Sequence, residues 1–396
     1  MRQALTAGLL VAACLQSAAV AGDWRGEVSA EMRQFFASPV DPVQHDRFLS
    51  VSGEIEFHDE WDDGRHSLTV RPFARVDQHD EQRTHADLRE AVWIYHNDGL
   101  EIRAGVDKVF WGVTEVYHLV DIINQTDLVE NPDGEQKLGQ PMLKMSRESE
   151  FGTFDLYLLP WFRERLFPGA EGRLRTQPRV AEELSSFTSD RGERHVDLAA
   201  RWSKNLGDWD LGVAHFRGTG RAPRLLPGID ASGLPVLKPR YEIIHQTSID
   251  LQGAVESWLW KFEGLRRSDS LDEFFAATGG FEYTLYGFGE GNSDIGILAE
   301  GMWDERGDSA TTPFNHDAFV GVRWVANDVD GTELLAGVVA DWDNGSRFYN
   351  VEASRRIGND VKVGIQARAW DRVDATDALY PLRRDDYVEL KLTKFF

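Results

Sequence analysis

The stretch Leu49-Ser50-Val51-Ser52-Gly53-Glu54-Ile55-Glu56-Phe57-His58 sets apolar or small residues at odd positions and polar ones at even positions. Asp62-Asp63-Gly64 then gives a tight-turn signal. Beyond it, Leu68, Val70, Pro72, Ala74 and Val76 alternate with Thr69, Arg71, Phe73, Arg75 and Asp77. Successive side chains of an extended chain point to opposite faces, so each segment has one apolar and one polar face. About ten such residues is also what a tilted strand needs to cross a bilayer. A half-buried soluble sheet alternates in the same way, so the period alone leaves both readings open.

The pattern extends outward from there. Leu100, Ile102, Ala104 and Val106 alternate with polar residues or glycine, as do Val361, Val363, Ile365, Ala367 and Ala369 near the end. No apolar run reaches the roughly 18 residues of a membrane helix. Strands are expected over 24–36, 47–59, 66–79, 85–97, 99–110, 141–149, 152–162, 194–204 and 208–218. Nine more are expected over 240–252, 256–268, 272–287, 294–305, 316–327, 332–342, 346–357, 361–373 and 385–396. Short turns (Asn97-Asp98-Gly99, Leu206-Gly207-Asp208, Gly289-Glu290-Gly291-Asn292, Asp328-Val329-Asp330-Gly331, Gly358-Asn359-Asp360) alternate with long connections at 111–140, 163–193, 219–239, 306–315 and 374–384. Tight turns on one side and long loops on the other distinguish a membrane barrel. The expected fold is all-β: a transmembrane, antiparallel, up-and-down β-barrel of about 18 strands, 16 being also compatible.

Residues 1–21 carry Arg2, an apolar stretch from Ala4 to Leu15 and the small-x-small site Ala19-Val20-Ala21, the pattern of a secretory signal peptide. Val11-Ala12-Ala13-Cys14 loosely fits a lipoprotein signal instead. Cleavage after Ala21 leaves a barrel domain of 22–396, 375 residues without the sole cysteine, and losing Arg2 takes the formal charge from −23 to −24. Exported and cysteine-free, such a chain draws its stability from strand pairing and burial.

Composition excludes other classes. With 42% hydrophobic and 11% aromatic residues the chain can bury enough surface to order. Its sequence pI of about 4.9 argues against nucleic acid as a partner, which needs a basic face. A mean hydropathy of −0.40 reads as soluble, but a barrel with a watery lumen has only half of each strand apolar.

Tryptophans fall at strand ends: Trp161, Trp303, Trp342 and Trp370 at outer ends, Trp61, Trp202, Trp209, Trp258 and Trp324 near inner ends. Such rings form girdles at headgroup level. In Tyr387-Val388-Glu389-Leu390-Lys391-Leu392-Thr393-Lys394-Phe395-Phe396 the alternate positions before Phe396 are apolar, except Lys394. This segment resembles the C-terminal signal of Gram-negative outer-membrane proteins. The resemblance implies engagement by the barrel assembly machinery and a bacterial outer-membrane location, with outer-membrane lipid and lipopolysaccharide as partners.

The polar face would line the pore. Arg71, Arg75, Arg103, Lys108, Arg323, Arg368, Glu54 and Glu56 are the candidate pore-lining charges, with Lys261, Glu263 and Glu300 among others on the same face. Mixed charges around water orient dipolar solutes and set ion preference. The connection 111–140 is too long and apolar for a free external loop. Val116, Leu119, Val120 and Ile123 have helical spacing, so it is expected to fold inward and pack on the wall. It occupies the place, after the fifth strand, of the inward loop of trimeric general porins. Residues 105–131, with Trp111-Gly112, Asp121, Asn124 and Asp127, also resemble uncharacterised proteobacterial outer-membrane porin-like proteins. Glu115, His118, Asp121, Asn124 and Asp127 are the candidate constriction residues; the alternative is that Asp121, Asn124 and Asp127 hold the loop's own turns.

The chain contains no GxSxG, HExxH, P-loop or CxxC motif. His245 and Ser248 would point to opposite faces of a strand, and the 11 histidines lack metal-ligand spacing. No catalytic residue, metal or cofactor is therefore expected. Arg163, Arg165, Arg173, Arg175, Arg179, Arg221 and Arg224 in two external stretches would bind lipopolysaccharide or an anionic solute, or lie simply solvated. The expected function is a porin-like channel for passive diffusion of small hydrophilic solutes or ions. A barrel that binds or moves an amphipathic or lipid-like substrate is the alternative. A homotrimer is compatible with either.

Overall fold

The computed structural model describes residues 22–289 and 293–396. The leader expected over 1–21 and residues 290–292 of one turn signal lie outside the described residues. In chain order the strands are β1 (Asp23–Phe35), β2 (Arg47–Trp61), β3 (His66–Asp77), β4 (His85–Asn97), β5 (Leu100–Asp107), β6 (Gln140–Ser149) and β7 (Gly152–Leu159). There follow β8 (Ser186–Phe187), β9 (Asp197–Leu206), β10 (Trp209–Thr219), β11 (Arg224–Ile229), β12 (Pro235–Tyr241), β13 (Ile243–Val255) and β14 (Trp258–Ser268). The last are β15 (Glu273–Phe288), β16 (Ser293–Asp304), β17 (His316–Val325), β18 (Glu333–Asp341), β19 (Arg347–Ile357), β20 (Val361–Asp371) and β21 (Tyr387–Phe395).

All but β8, β11 and β12 form one 18-stranded sheet. Neighbours are antiparallel and consecutive, and β1 pairs with both β2 and β21, Ala30 standing opposite Val51 and Leu392. The sheet therefore closes and keeps no free edge. Every expected barrel strand is present, its ends shifted by no more than three residues.

Burial is inverted relative to a soluble sheet. Leu49 and Val51 are 47% and 54% exposed, whereas Ser50 and Ser52 are 5% and 7% exposed. Apolar side chains look outward and polar ones inward, the arrangement that a lipid exterior and a wet lumen require. Trp161, Trp303 and Trp342 are exposed at outer strand ends, and Trp61, Trp258 and Trp324 at inner ends. Trp370 corrects the expectation: it is buried among Phe35, Phe348 and Tyr387. It shares the inward column of β20 with Gln366 and Arg368, so strand parity overrides its place at the rim. Lys394 shares the outward column of Leu390 and Leu392 and ion-pairs with Asp360 in the adjoining turn. A long cationic side chain is tolerated there because it reaches water.

The outer mouth is built over. The connection 160–196 runs along the rim as a strap, and Arg173 ties it to Asp385 (2.8 Å) and stacks over Phe35 at 4.4 Å. The short β8 pairs with β12, which pairs with β11, and Tyr241 packs against Phe162 and Phe187. The arginines of these stretches are mostly paired: Arg163 with Asp87, Arg175 with Asp41, Arg179 with Glu183 and Asp230, Arg221 with Asp197, Arg224 with Asp269 and Asp272. Most of them are thus held by carboxylates of the rim rather than simply solvated. Arg165 alone of the seven has no carboxylate within 4.0 Å among the described residues and hydrogen-bonds Gln125.

Glu182 on the strap is pushed up to about 7 by burial, with Glu164 and Glu183 adding like charge against the N–H of Phe167. A raised carboxyl favours the neutral form in the folded strap. Its stabilisation is complete below about 4.5, the ordinary value, and lost as pH rises through about 7. Glu182→Gln is expected to steady the strap by about 1–2 kcal/mol at pH 8 and to leave it unchanged at pH 4. Hydrogen exchange of 163–187, corrected for intrinsic rate, reads this directly; equal pH dependence in both proteins would contradict it.

Candidate functional site

The connection between β5 and β6, residues 108–139, turns into the lumen and crosses it. Leu119, Val120, Ile122 and Ile123 are all buried, and Trp111, Val120, Ile122 and Ile123 pack with Tyr157, Ala214, Phe216 and Ile244 of the inner wall. On the far side Val116 and Tyr117 pack with Leu298, Met302, Phe319 and Val339. Each buried aliphatic side chain contributes roughly 1.5–3 kcal/mol. The wall's inner face thus offers apolar side chains to the loop's buried residues.

The expected helical spacing does not produce a helix. Glu263 of β14, fully buried, accepts hydrogen bonds from the N–H groups of Val113 (2.6 Å), Thr114 (2.9 Å) and Val120 (3.0 Å) and from Thr114 Oγ1 (2.8 Å). Glu300 of β16 accepts from the N–H groups of Glu115 (2.7 Å) and Val116 (3.1 Å). Asp121 Oδ1 accepts those of Trp111 and Gly112. Donors that a helix would use internally are satisfied by carboxylates of the wall and the loop. A Cβ at Gly112 would lie 2.6 Å from that of His118, so the fold back at this point needs glycine.

The predicted loop residues divide. Asp121 and Asn124 hold the loop's own backbone, Asn124 bridging Val109, Asp107 and Leu138, and both also edge an outer cavity. Asp127 is fully buried against Arg89 at 2.7 Å. Glu115 reaches Arg323 (2.8 Å) and Lys261 (3.4 Å). Burial alone would raise its carboxyl, but these two cations hold it below the usual carboxylate range. His118 pairs with Glu135 at 2.9 Å, which outweighs burial and raises its pKa.

The predicted pore cations divide as well. Arg75 grips Glu130 of the loop (2.7 Å) along with Glu31, and Arg368 grips Asp133 and Asn131, both at 2.7 Å. With Arg323, they clamp the loop to the wall. Arg71 lies among Glu54, Glu56 and Glu90, and Arg103 beside Glu101 and Asp107, all half-exposed or better hidden along β2–β5. Lys108 starts the loop, its amine lowered by burial and by neighbouring Arg89. The main anchors, Glu263 and Glu300, sit on the polar face read from the sequence, but nothing in it singles them out.

The loop leaves two spaces. The larger, about 790 Å³, lies on the β17–β1 side and is lined by Glu115, Arg323, Glu352, Lys362, Glu389 and Lys391 among others. The smaller, about 210 Å³, faces the outer mouth; Tyr117, Leu119, Ile122, Leu379 and Leu382 line it with Lys137, Arg165 and Arg267. Arg267 donates twice to Gln246 and, like Arg165, has no carboxylate within 4.0 Å among the described residues. Val116, His118, Asp133, Phe314, Phe348 and Arg368 line both spaces and so stand between them.

No protein-family model and no curated protein matches the chain. Among the solved structures similar in fold are two outer-membrane proteins. One is Wzi of Escherichia coli, an outer-membrane protein involved in group 1 capsule assembly and a carbohydrate-binding β-barrel: TM-score 0.54, 9% identity, covering 99% of this chain and 87% of that one. The other is OccK11 (OpdR) of Pseudomonas aeruginosa: TM-score 0.52, 11% identity, covering 94% and 96%. By fold, the chain is a closed 18-stranded antiparallel β-barrel like those of these outer-membrane proteins.

Proposed function

We propose that the protein is an outer-membrane channel through which small hydrophilic solutes or ions diffuse passively, past a neck formed by the inward loop. The observation that carries this reading is the space of about 790 Å³ left beside the loop, lined by charges of both signs and sharing Val116, His118 and Arg368 with the outer cavity. No catalytic step belongs to it. Purified protein in planar bilayers should give stepwise ion conductance; silent bilayers would overturn the reading.

The amphipathic-substrate alternative is favoured by the outer cavity, where Arg165 and Arg267 face apolar side chains. An anion with an apolar body has the matching chemistry. Silent bilayers together with retained detergent or lipid would select this alternative. In the cell, lipopolysaccharide around the outer girdle, delivery by the assembly machinery through β21, and a homotrimer complete the proposal.

Selectivity follows from the charges that remain near water. Arg71→Ala with Arg103→Ala should move the reversal potential toward cations, since each leaves its carboxylates unneutralised. Adding Arg75→Ala should also raise conductance noise, because Arg75 holds Glu130 of the loop. An unchanged reversal potential in the triple variant would mean that these walls lie off the path.

A further inference from the structure

We infer that His45, His79 and Glu171 form a binding site for one divalent transition-metal ion at the outer mouth. The three residues come from three connections: β1–β2, β3–β4 and the strap. Their ligand atoms lie within 4.8 Å of one another. His45 Nε2 stands 3.3 Å from Glu171 Oε2, the edge expected around a tetrahedral ion with bonds of about 2.0–2.1 Å. The two imidazoles stack at 3.7 Å between centroids, and Phe48 packs edge-on to both. Side-chain rotation closes the remaining distances, and a fourth position stays open to water.

The backbone around these ligands is already locked. Gln44, beside His45, donates to the carbonyl of Gly172, beside Glu171, at 2.7 Å. Asp80, beside His79, accepts the N–H of Gly169 at 3.0 Å. A Cβ at Gly172 would lie 2.1 Å from Asp80 Oδ2, so only glycine lets the strap come this close. Arg175 adds an ion pair to Asp41 at 2.9 Å. Each ligand's neighbour is thus tied to the segment that carries Glu171, and the ion has little ordering left to do.

Two imidazole nitrogens and one carboxylate oxygen suit zinc, copper(II) or nickel(II), whereas calcium and magnesium favour all-oxygen sets. A bound ion would staple the strap to two rim connections distant in sequence. The absence of local ligand spacing in the sequence is the expected mark of a site assembled by three loops.

The test uses untagged full-length barrel in detergent, with copper(II) as the spectroscopic probe and zinc for calorimetry. One copper per chain is expected, with electron-spin hyperfine coupling to two nitrogens. His45→Ala and His79→Ala should each weaken zinc binding by at least the roughly 10–100-fold that loss of a supporting partner costs a metal site. His96→Ala, at an exposed histidine elsewhere on the barrel, should leave it unchanged. Gel mobility before and after heating reports whether each variant is folded. Absence of stoichiometric copper, a signal without two nitrogens, or zinc binding that survives the double variant would overturn the inference. The nitrogen count on the wild type decides it even where a variant fails to fold.

Discussion

Deleting residues 116–130 raises single-channel conductance by about two- to fivefold, since current scales with the cross-section left free of protein. The segment carries Val116 and His118 of the neck and the buried Leu119, Val120, Ile122 and Ile123. The barrel itself keeps its 18 paired strands, because neither β5 nor β6 is touched. The deletion also exposes inner-wall residues such as Ala214, Phe216, Leu298 and Phe319, which the loop covers. Detergent or lipid entering there would hold the increase to the lower end of the range. Conductance equal to that of the intact protein would place the permeation path away from this loop.

Glu263→Ala produces the second large effect, without removing any chain. It leaves the N–H groups of Val113, Thr114 and Val120 without their acceptor inside the lumen. Orphaning buried donors of a charged acceptor costs about 3–5 kcal/mol, enough to free much of the loop while the closed sheet holds. Hydrogen exchange of 111–122 should accelerate by two orders of magnitude or more, at about 1.4 kcal/mol per tenfold. Open-channel current should become noisy. Glu263→Gln should fall between: its carbonyl oxygen still serves Val113 and Thr114, but its amide cannot accept from Val120. Unaltered exchange in Glu263→Ala would mean that apolar packing alone holds the loop.

The barrel was legible because its physics is local. Alternation such as Leu49 to His58 and turns such as Asp62-Asp63-Gly64 fix strands and hairpins within a few residues. The inward loop was legible from its apolar length, but its backbone was not. Val116, Leu119, Val120 and Ile123 satisfy helical spacing, while the N–H groups of Val116 and Val120 find their acceptors on β16 and β14, 184 and 143 residues away. Glu263 reads in the sequence like any lumen charge. Arg75, Arg323 and Arg368 have the sequence pattern of pore charges, and each also clamps an acidic group of the loop. The strands β11 and β12 are hidden in the sequence by Pro227, Pro235 and Pro239, whose missing N–H groups argue against a strand. Trp370 departs from the girdle reading because strand parity and rim position disagree there.

The most direct test of the account places a single cysteine at His118, on the loop and at the neck. The chain has no cysteine beyond Cys14, so with Cys14→Ser in the same protein a thiol reagent has one target. Planar-bilayer recording of His118→Cys is predicted to show stepwise openings whose size drops when a bulky charged reagent is added. Openings indifferent to the reagent, or no openings at all, would contradict a channel narrowed by this loop.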